Sequence, residues 1–345
     1  MPTINRESRI VGALLGLHAG DSLGATVEFQ SHAFIKSAYP RDNPGTLRDI
    51  TGGGAFKWPA GHATDDTDMT RGVLLAYLDC LTDPQHQRSD VATRAGRYFL
   101  KWRAGDWPGR VPPGTRPVDM GAATEDGLRR FSASLDPDNA GAGPGRAGNG
   151  SLMRCLPTGL FRAADADRLV AESMRISRIT HDDALCTVSC AVYNTMAAEL
   201  VLGRGPDAAV DAGLRVCRRL EHLQQPDAKK QSVLGALKLG TQLRLQGLAE
   251  FGPPPSAMPG GCSGYVLESL SLAVAAVLDP RCLEDVLVDV VRVGKDTDTN
   301  AAIAGGLLGA RDGEDAIPRR WEEKLQFGDE FRTIATSILR SQNKK

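Results

Sequence analysis

The 345-residue sequence predicts a mainly α-helical fold, and three observations carry that expectation. Apolar residues recur at helical spacing in most long segments. Alternating, β-branched runs of strand length are almost absent. Four glycines, Gly12, Gly16, Gly20 and Gly24, stand four residues apart in the first helical segment and so line one face of it. Each costs up to about 1 kcal/mol relative to alanine inside a helix. A row of them implies a close approach by another backbone or a ligand, so this helix is expected to be central.

Along the chain, Ile10, Leu14 and Leu17 give the first helix its apolar face. The Gly/Pro-rich stretch 40–63 is a loop, and Met69, Val73 and Tyr77 mark the helix after it. Further loops are expected at 103–119, 136–150 and 252–261, with helical spacing at Leu267, Leu270 and Val274 and again at Ile303, Leu307 and Leu308. No loop resembles a polar interdomain linker, and no tandem repeat or heptad pattern occurs. One domain over 1–345 is therefore expected, with long loops available for function.

Lys plus Arg number 41 against 42 Asp plus Glu, a formal net charge of −1, which excludes a broadly basic nucleic-acid binder. The seven cysteines are odd in number, scattered and without a C-x-x-C pair, and read as small core hydrophobes. The N-terminus has charges where a signal peptide needs an apolar run, and no stretch of about 18 apolar residues is evident. A cytoplasmic protein without a membrane association is expected.

Two acidic clusters are the strongest chemical signal. TDDTD (64–68) follows a Pro/Gly loop and precedes a helix; DTDTN (296–300) follows Gly294 and precedes the small-residue run AAIAGGLLGA. Helix capping explains either one alone. A cap needs one oxygen, however, and these clusters crowd several carboxylates and hydroxyls, which is costly unless a cation neutralises them. Oxygen-only donors point to a hard ion such as Mg²⁺, Mn²⁺ or Ca²⁺, and no pair among the six histidines has H-x-x-x-H spacing.

Asp21 and Glu28 lie seven residues apart, and if the first helix ran on, both carboxylates would share a face among small and apolar neighbours. A solvated face and a general base or metal-water partner are comparably weighted readings. The segment GNGSLMR (148–154) closes a Gly-rich loop and is expected to open a helix, a setting that suits phosphate; a Gly-Asn-Gly turn with a serine cap explains it equally well. It is not a P-loop or a dinucleotide fingerprint. His181 beside Asp182 and Asp183 reads on its own as a structural cap. Trp58, Trp102, Trp107 and Trp321 read as packing or loop anchors.

Taken together, GALLGLHAGDSLGATVEF (12–29), GHATDDTDM (61–69), GNGSLMRCLP (148–157), THDDA (180–184), SGYVLESL (263–270), GKDTDTNAAIAGGLLGA (294–310) and IPRRW (317–321) resemble the ADP-ribosylglycohydrolase family, in the family's order and over about residues 9–325. The resemblance implies an all-α orthogonal helical bundle with a central cleft holding two divalent cations, Mg²⁺ or Mn²⁺. By position, Thr64, Asp65, Asp66, Asp296, Asp298 and Thr299 match the metal ligands, and Glu28 the glutamate that acts beside them. Gly148, Asn149, Gly150 and Ser151 match the loop for the ADP-ribose phosphates, His181 a substrate-contacting histidine, and Tyr265 a pocket wall. VDMGAATEDGL (118–128) is similar to a D-I-G-N stretch whose aspartate, here Asp119, faces the target arginine. Two departures are Lys295, where the family often has glycine or aspartate, and Ala122, where that stretch has asparagine.

The implied function is metal-dependent hydrolysis of the bond joining ADP-ribose to an acceptor, foremost an arginine side chain on protein, by a monomer. Acceptors on serine, nucleic acid or small molecules, pyrophosphate cleavage, and a non-catalytic ADP-ribose-binding relative stand as alternatives.

Overall fold

Helices and their connecting loops make up the whole of the described structure, and no strand occurs among the described residues. The computed structural model describes residues 4–41, 47–83, 85, 89–110, 112–224 and 231–342. In chain order, α1 (Arg6–Gly24), α2 (His32–Ala38), α3 (Asp65–Thr82), α4 (Val91–Ala104) and α5 (Ala122–Ser134) come first. They are followed by α6 (Leu156–Phe161), α7 (Ala166–Arg178), α8 (Ala184–Val201), α9 (Pro206–Gln224), α10 (Val233–Gln242) and α11 (Leu245–Phe251). The last are α12 (Val266–Leu278), α13 (Leu283–Arg292), α14 (Thr297–Asp312), α15 (Arg319–Glu322) and α16 (Gly328–Gln342). The fold is all-α.

The glycine row explains the centre. A Cβ added at Gly12, Gly16, Gly20 or Gly24 would stand less than 3 Å from backbone atoms of Gly309–Gly313, Gly305, Ala301 or Thr297. Gly305 and Gly309 of α14 are blocked in return by the carbonyls of Gly16 and Gly12. Two helix backbones therefore touch along their length, and both are buried. The expected close approach is met, with α14 as the partner. Around this pair, α3, α8, α12, α13 and α16 contribute to one continuous apolar cluster. Gly16→Ala is expected to lower stability by about 1–3 kcal/mol in urea unfolding, because rigid backbone cannot yield to the added methyl. Gly247→Ala in α11, where a Cβ meets nothing within 4 Å, should instead gain about 0.4–1 kcal/mol.

Two expectations change here. Helix α8 is long and apolar enough to cross a membrane by length and composition, yet 78% of it is buried in the protein, against α6, α7, α9 and α14. Helix α1 stops at Gly24, so Glu28 sits in a turn and does not continue the helical face of Asp21. All seven cysteines are free thiols, and only Cys282 is exposed.

Candidate functional site

Both acidic clusters occupy helix starts, but capping accounts for little of them. Thr64 caps α3 by accepting from the Asp66 N–H (3.3 Å). Asp296 stands at the cap position of α14 and makes no side-chain cap bond; its carboxylate accepts from the Asn149 amide (2.7 Å). The α1–α14 packing brings the two ends together. The Thr297 hydroxyl donates to the Gly24 carbonyl (2.7 Å), while Phe29 N–H donates to Lys295 O and Lys295 N–H to Gln30 O (2.7 Å each). The turn that carries Glu28 is thereby tied to the start of α14. Lys295 itself is exposed.

Carboxylates from three helices then converge. Asp21, Asp66 and Asp298 each place an oxygen within 4.8 Å of the others, and all three are buried. Asp66 Oδ2 accepts from the Thr64 and Thr299 hydroxyls (3.2 and 3.3 Å); among the described residues its Oδ1 is buried without a partner. Asp21 Oδ2 accepts from the Thr64 N–H (3.1 Å) and the Thr67 hydroxyl, and its Oδ1 is likewise unpartnered. Asp119 joins the group by accepting the Asp65 N–H (2.9 Å), with its own Oδ1 left over. Among the described residues no ion pair neutralises any of these groups, or Glu28, Asp65 or Asp296.

The electrostatics follow from that crowding. Burial, reinforced by Asp296, Asp119 and Asp21, pushes the Glu28 carboxyl up to about 8. Burial first, partly offset by hydrogen bonds from Thr67 and Thr64, brings Asp21 up to about 7. Asp65, Asp66 and Asp298 are driven well above the ordinary range by burial and then by neighbouring carboxylates. Burial also raises Asp119 and Asp296. Orphaned buried oxygens in an oxygen-only donor set fit a hard divalent cation. Asp21 belongs to this group although no motif match assigned it a ligand role; its place among small and apolar residues was the signal.

Asp68 does not join. It accepts from Trp102 Nε1 (2.9 Å), Trp107 Nε1 (2.8 Å) and Arg110 (3.2 Å), and so ties α4 and the 105–110 segment to α3. Trp102 is a buried packing residue of α4 and Trp107 a loop anchor, the two roles the sequence suggests.

The 148–151 turn reaches the second acidic cluster through the Asn149–Asp296 bond. Asn149 N–H donates to Gly264 O (3.0 Å), and Gly148 pairs with Tyr265 in an isolated bridge. The Asn149 amide also bonds Ser269 Oγ (3.0 Å), linking the turn to α12 and, through Asp296, to α14. The expected helix does not open here: residues 151–154 form further turns and α6 begins only at Leu156. Ser151 is fully buried, its hydroxyl held by Ser177 (2.9 Å). Among the described residues the N–H groups of Gly150 and Ser151 meet no protein acceptor. His181 packs its ring edge on Gly148 and Gly150, and half-buried Tyr265 flanks the same turn. Glu268, missed in the sequence, holds the adjoining loop by accepting from the Gly260 and Cys262 N–H groups (2.7 Å each).

With this geometry established, comparison with known proteins is informative. The sequence profile of the ADP-ribosylglycohydrolase family matches residues 2–345. The ADP-ribosyl-[dinitrogen reductase] glycohydrolase of Rhodospirillum rubrum is 30% identical over 323 residues, 93% of this chain and 91% of that protein. ADP-ribosylarginine hydrolase Tri1 of Pseudomonas putida (strain GB-1) is 29% identical over 96% of this chain and 78% of its own length. Human ADP-ribosylhydrolase ARH3 is 25% identical over 96% of this chain and 93% of its own. A solved structure described as an ADP-ribosylglycohydrolase-related protein complex superposes with a TM-score of 0.70 at 27% identity, covering 98% of this chain and 99% of that one. The chain belongs to the ADP-ribosylglycohydrolase family and is a glycosidic-bond hydrolase.

Proposed function

We propose that the protein hydrolyses the bond between ADP-ribose and an arginine side chain of an ADP-ribosylated protein, with two divalent cations, Mg²⁺ or Mn²⁺. The observation that carries this reading is the convergence of buried, unneutralised carboxylates with unpartnered oxygens beside a turn with unpaired N–H groups. Thr64, Asp65, Asp66, Asp296, Asp298 and Thr299 would hold the cations, which when bound supply Lewis acidity toward ribose hydroxyls and a water of lowered pKa. Glu28 orients the attacking water and takes its proton. The water oxygen bonds to the anomeric carbon, the carbon–nitrogen bond breaks through an oxocarbenium-like state, and the nitrogen regains a proton. The Gly150 N–H and His181 pin the diphosphate, which positions that carbon beside Glu28, while fully buried Ser151 supports the turn from beneath through Ser177. Asp119 faces the leaving guanidinium, and its unpartnered Oδ1 is an acceptor in want of a donor.

Incubation with arginine-, serine- and nucleic-acid-linked ADP-ribose, with products identified by mass, tests this. Intact ADP-ribose released from the arginine substrate supports it; AMP indicates pyrophosphate cleavage, and release from serine or nucleic acid alone reassigns the acceptor. Asp119→Ala is expected to slow cleavage of ADP-ribosylarginine at least about tenfold, the equivalent of about 1.4 kcal/mol from a charge-assisted hydrogen bond. Its affinity for free ADP-ribose should stay near that of the parent. An equal loss in both would place Asp119 on the ADP-ribose side.

A further inference from the structure

We infer that Arg154 and Thr180 lock His181 in the neutral tautomer protonated on Nε2, making the imidazole a fixed hydrogen-bond donor beside the 148–151 turn. The inference rests on the reading that this turn receives the diphosphate.

Arg154 is fully buried, lies 4.7 Å over the Phe99 ring, and among the described residues pairs with no carboxylate. Its guanidinium donates to Gly150 O (2.9 Å), Ile176 O (3.4 Å) and Thr180 Oγ1 (2.6 Å). Thr180 Oγ1 stands 2.8 Å from His181 Nδ1. A guanidinium has only donors, so the threonine oxygen accepts from it. The hydroxyl has one proton, and among the described residues His181 Nδ1 is the acceptor left for it. Were Nδ1 protonated, this buried hydroxyl would have no acceptor, a costly state. Nδ1 therefore accepts and Nε2 bears the hydrogen. Burial, followed by Arg154 and Arg146, pushes the imidazole down to about 3, so it stays neutral under working conditions.

The protonated nitrogen faces the turn. A Cβ on Gly148 would lie 3.5 Å from His181 Nε2, and one on Gly150 2.9 Å from Cε1, so both glycines leave room for that ring edge. Nε2 has no hydrogen-bond partner among the described residues. The same arginine sets the turn as well. Arg154 holds Gly150 O and so fixes the planar trans peptide that joins half-buried Gly150 to fully buried Ser151. Arg154 is thus a positioning residue that sets the imidazole, through Thr180, and the Gly150 backbone beside it, without touching the diphosphate.

Long-range ¹H–¹⁵N spectra of the full-length protein labelled with ¹⁵N-histidine, with His181→Gln to assign the signal, read the tautomer directly. His181 is expected to be protonated on Nε2. Thr180→Val should release the ring into a tautomer mixture and weaken binding of free ADP-ribose about tenfold, and Thr180→Ser should restore both. Arg154→Lys keeps the charge but cannot span Gly150 and Thr180, and should behave like Thr180→Val. Protonation on Nδ1 in the parent protein overturns the inference, and this holds even if a variant fails to fold. So does a Thr180→Val protein with parental tautomer and affinity, while Arg154→Lys with both unchanged removes Arg154 from the lock. If the tautomer responds as stated but the parent does not bind ADP-ribose, the lock stands and the diphosphate reading of the turn falls.

Discussion

Stripped of divalent cations by EDTA, the enzyme is expected to lose all measurable turnover, and Mg²⁺ or Mn²⁺ should restore it. Asp21, Asp66 and Asp298 crowd their oxygens within 4.8 Å in a buried setting, and among the described residues no ion pair relieves them. The same crowding makes stability of the metal-free protein pH-dependent. Asp21 and Glu28 have folded-state values raised to about 7 and 8, so the folded chain binds protons that the unfolded chain has released. Their contribution is fully present below about pH 4, where the unfolded carboxylates are also protonated, and is lost as pH rises through 7 to 8. Tm of the metal-free protein should therefore fall between pH 5 and 8. Added Mg²⁺ or Mn²⁺ should raise Tm more at pH 8 than at pH 6, because its ligands must first lose protons. Full activity after exhaustive chelation would rule out the metal-dependent mechanism, and activation by zinc alone would contradict the oxygen-donor assignment.

Glu28→Gln should retain ADP-ribose affinity while kcat falls by about 10² to 10⁴, the range for loss of a positioned proton acceptor. The amide is nearly isosteric with the carboxylate. The turn that carries residue 28 is fixed by backbone bonds between Phe29, Gln30 and Lys295, which the substitution leaves in place. Glu28 is 8% exposed, enough to meet a water at the cleft while most of the side chain stays in the low-dielectric wall. Measuring kcat at saturating substrate alongside calorimetric binding of ADP-ribose separates the roles. An unchanged kcat would make Glu28 a structural residue and place the base elsewhere.

Much of this architecture is local information. Helical periodicity shows in the sequence because burial on one face repeats every three to four residues, and the glycine row shows because four residues only slightly exceed one turn. The separation of Asp66 from Asp68 was available too: at 3.6 residues per turn, two positions rotate a side chain about 200°, which sends Asp68 to Trp102 and Trp107 and away from the cluster. The 148–154 segment misled because Gly, Asn and Ser signal a turn and a helix cap alike. Bonds from Asn149 to Gly264 and Ser269, more than a hundred residues away, select the turn.

The sequence by itself determined the helices, the oxygen-only chemistry of two acidic segments and the family to which the chain belongs. Tertiary structure alone decided that α14 is the partner of the glycine face, that Asp21 and Asp119 enter the carboxylate group, that Ser151 turns inward, and that Arg154 underlies His181. The reason is physical: spacing along a chain fixes which side chains share a face, whereas burial, unpartnered oxygens and mutual repulsion depend on which distant faces meet.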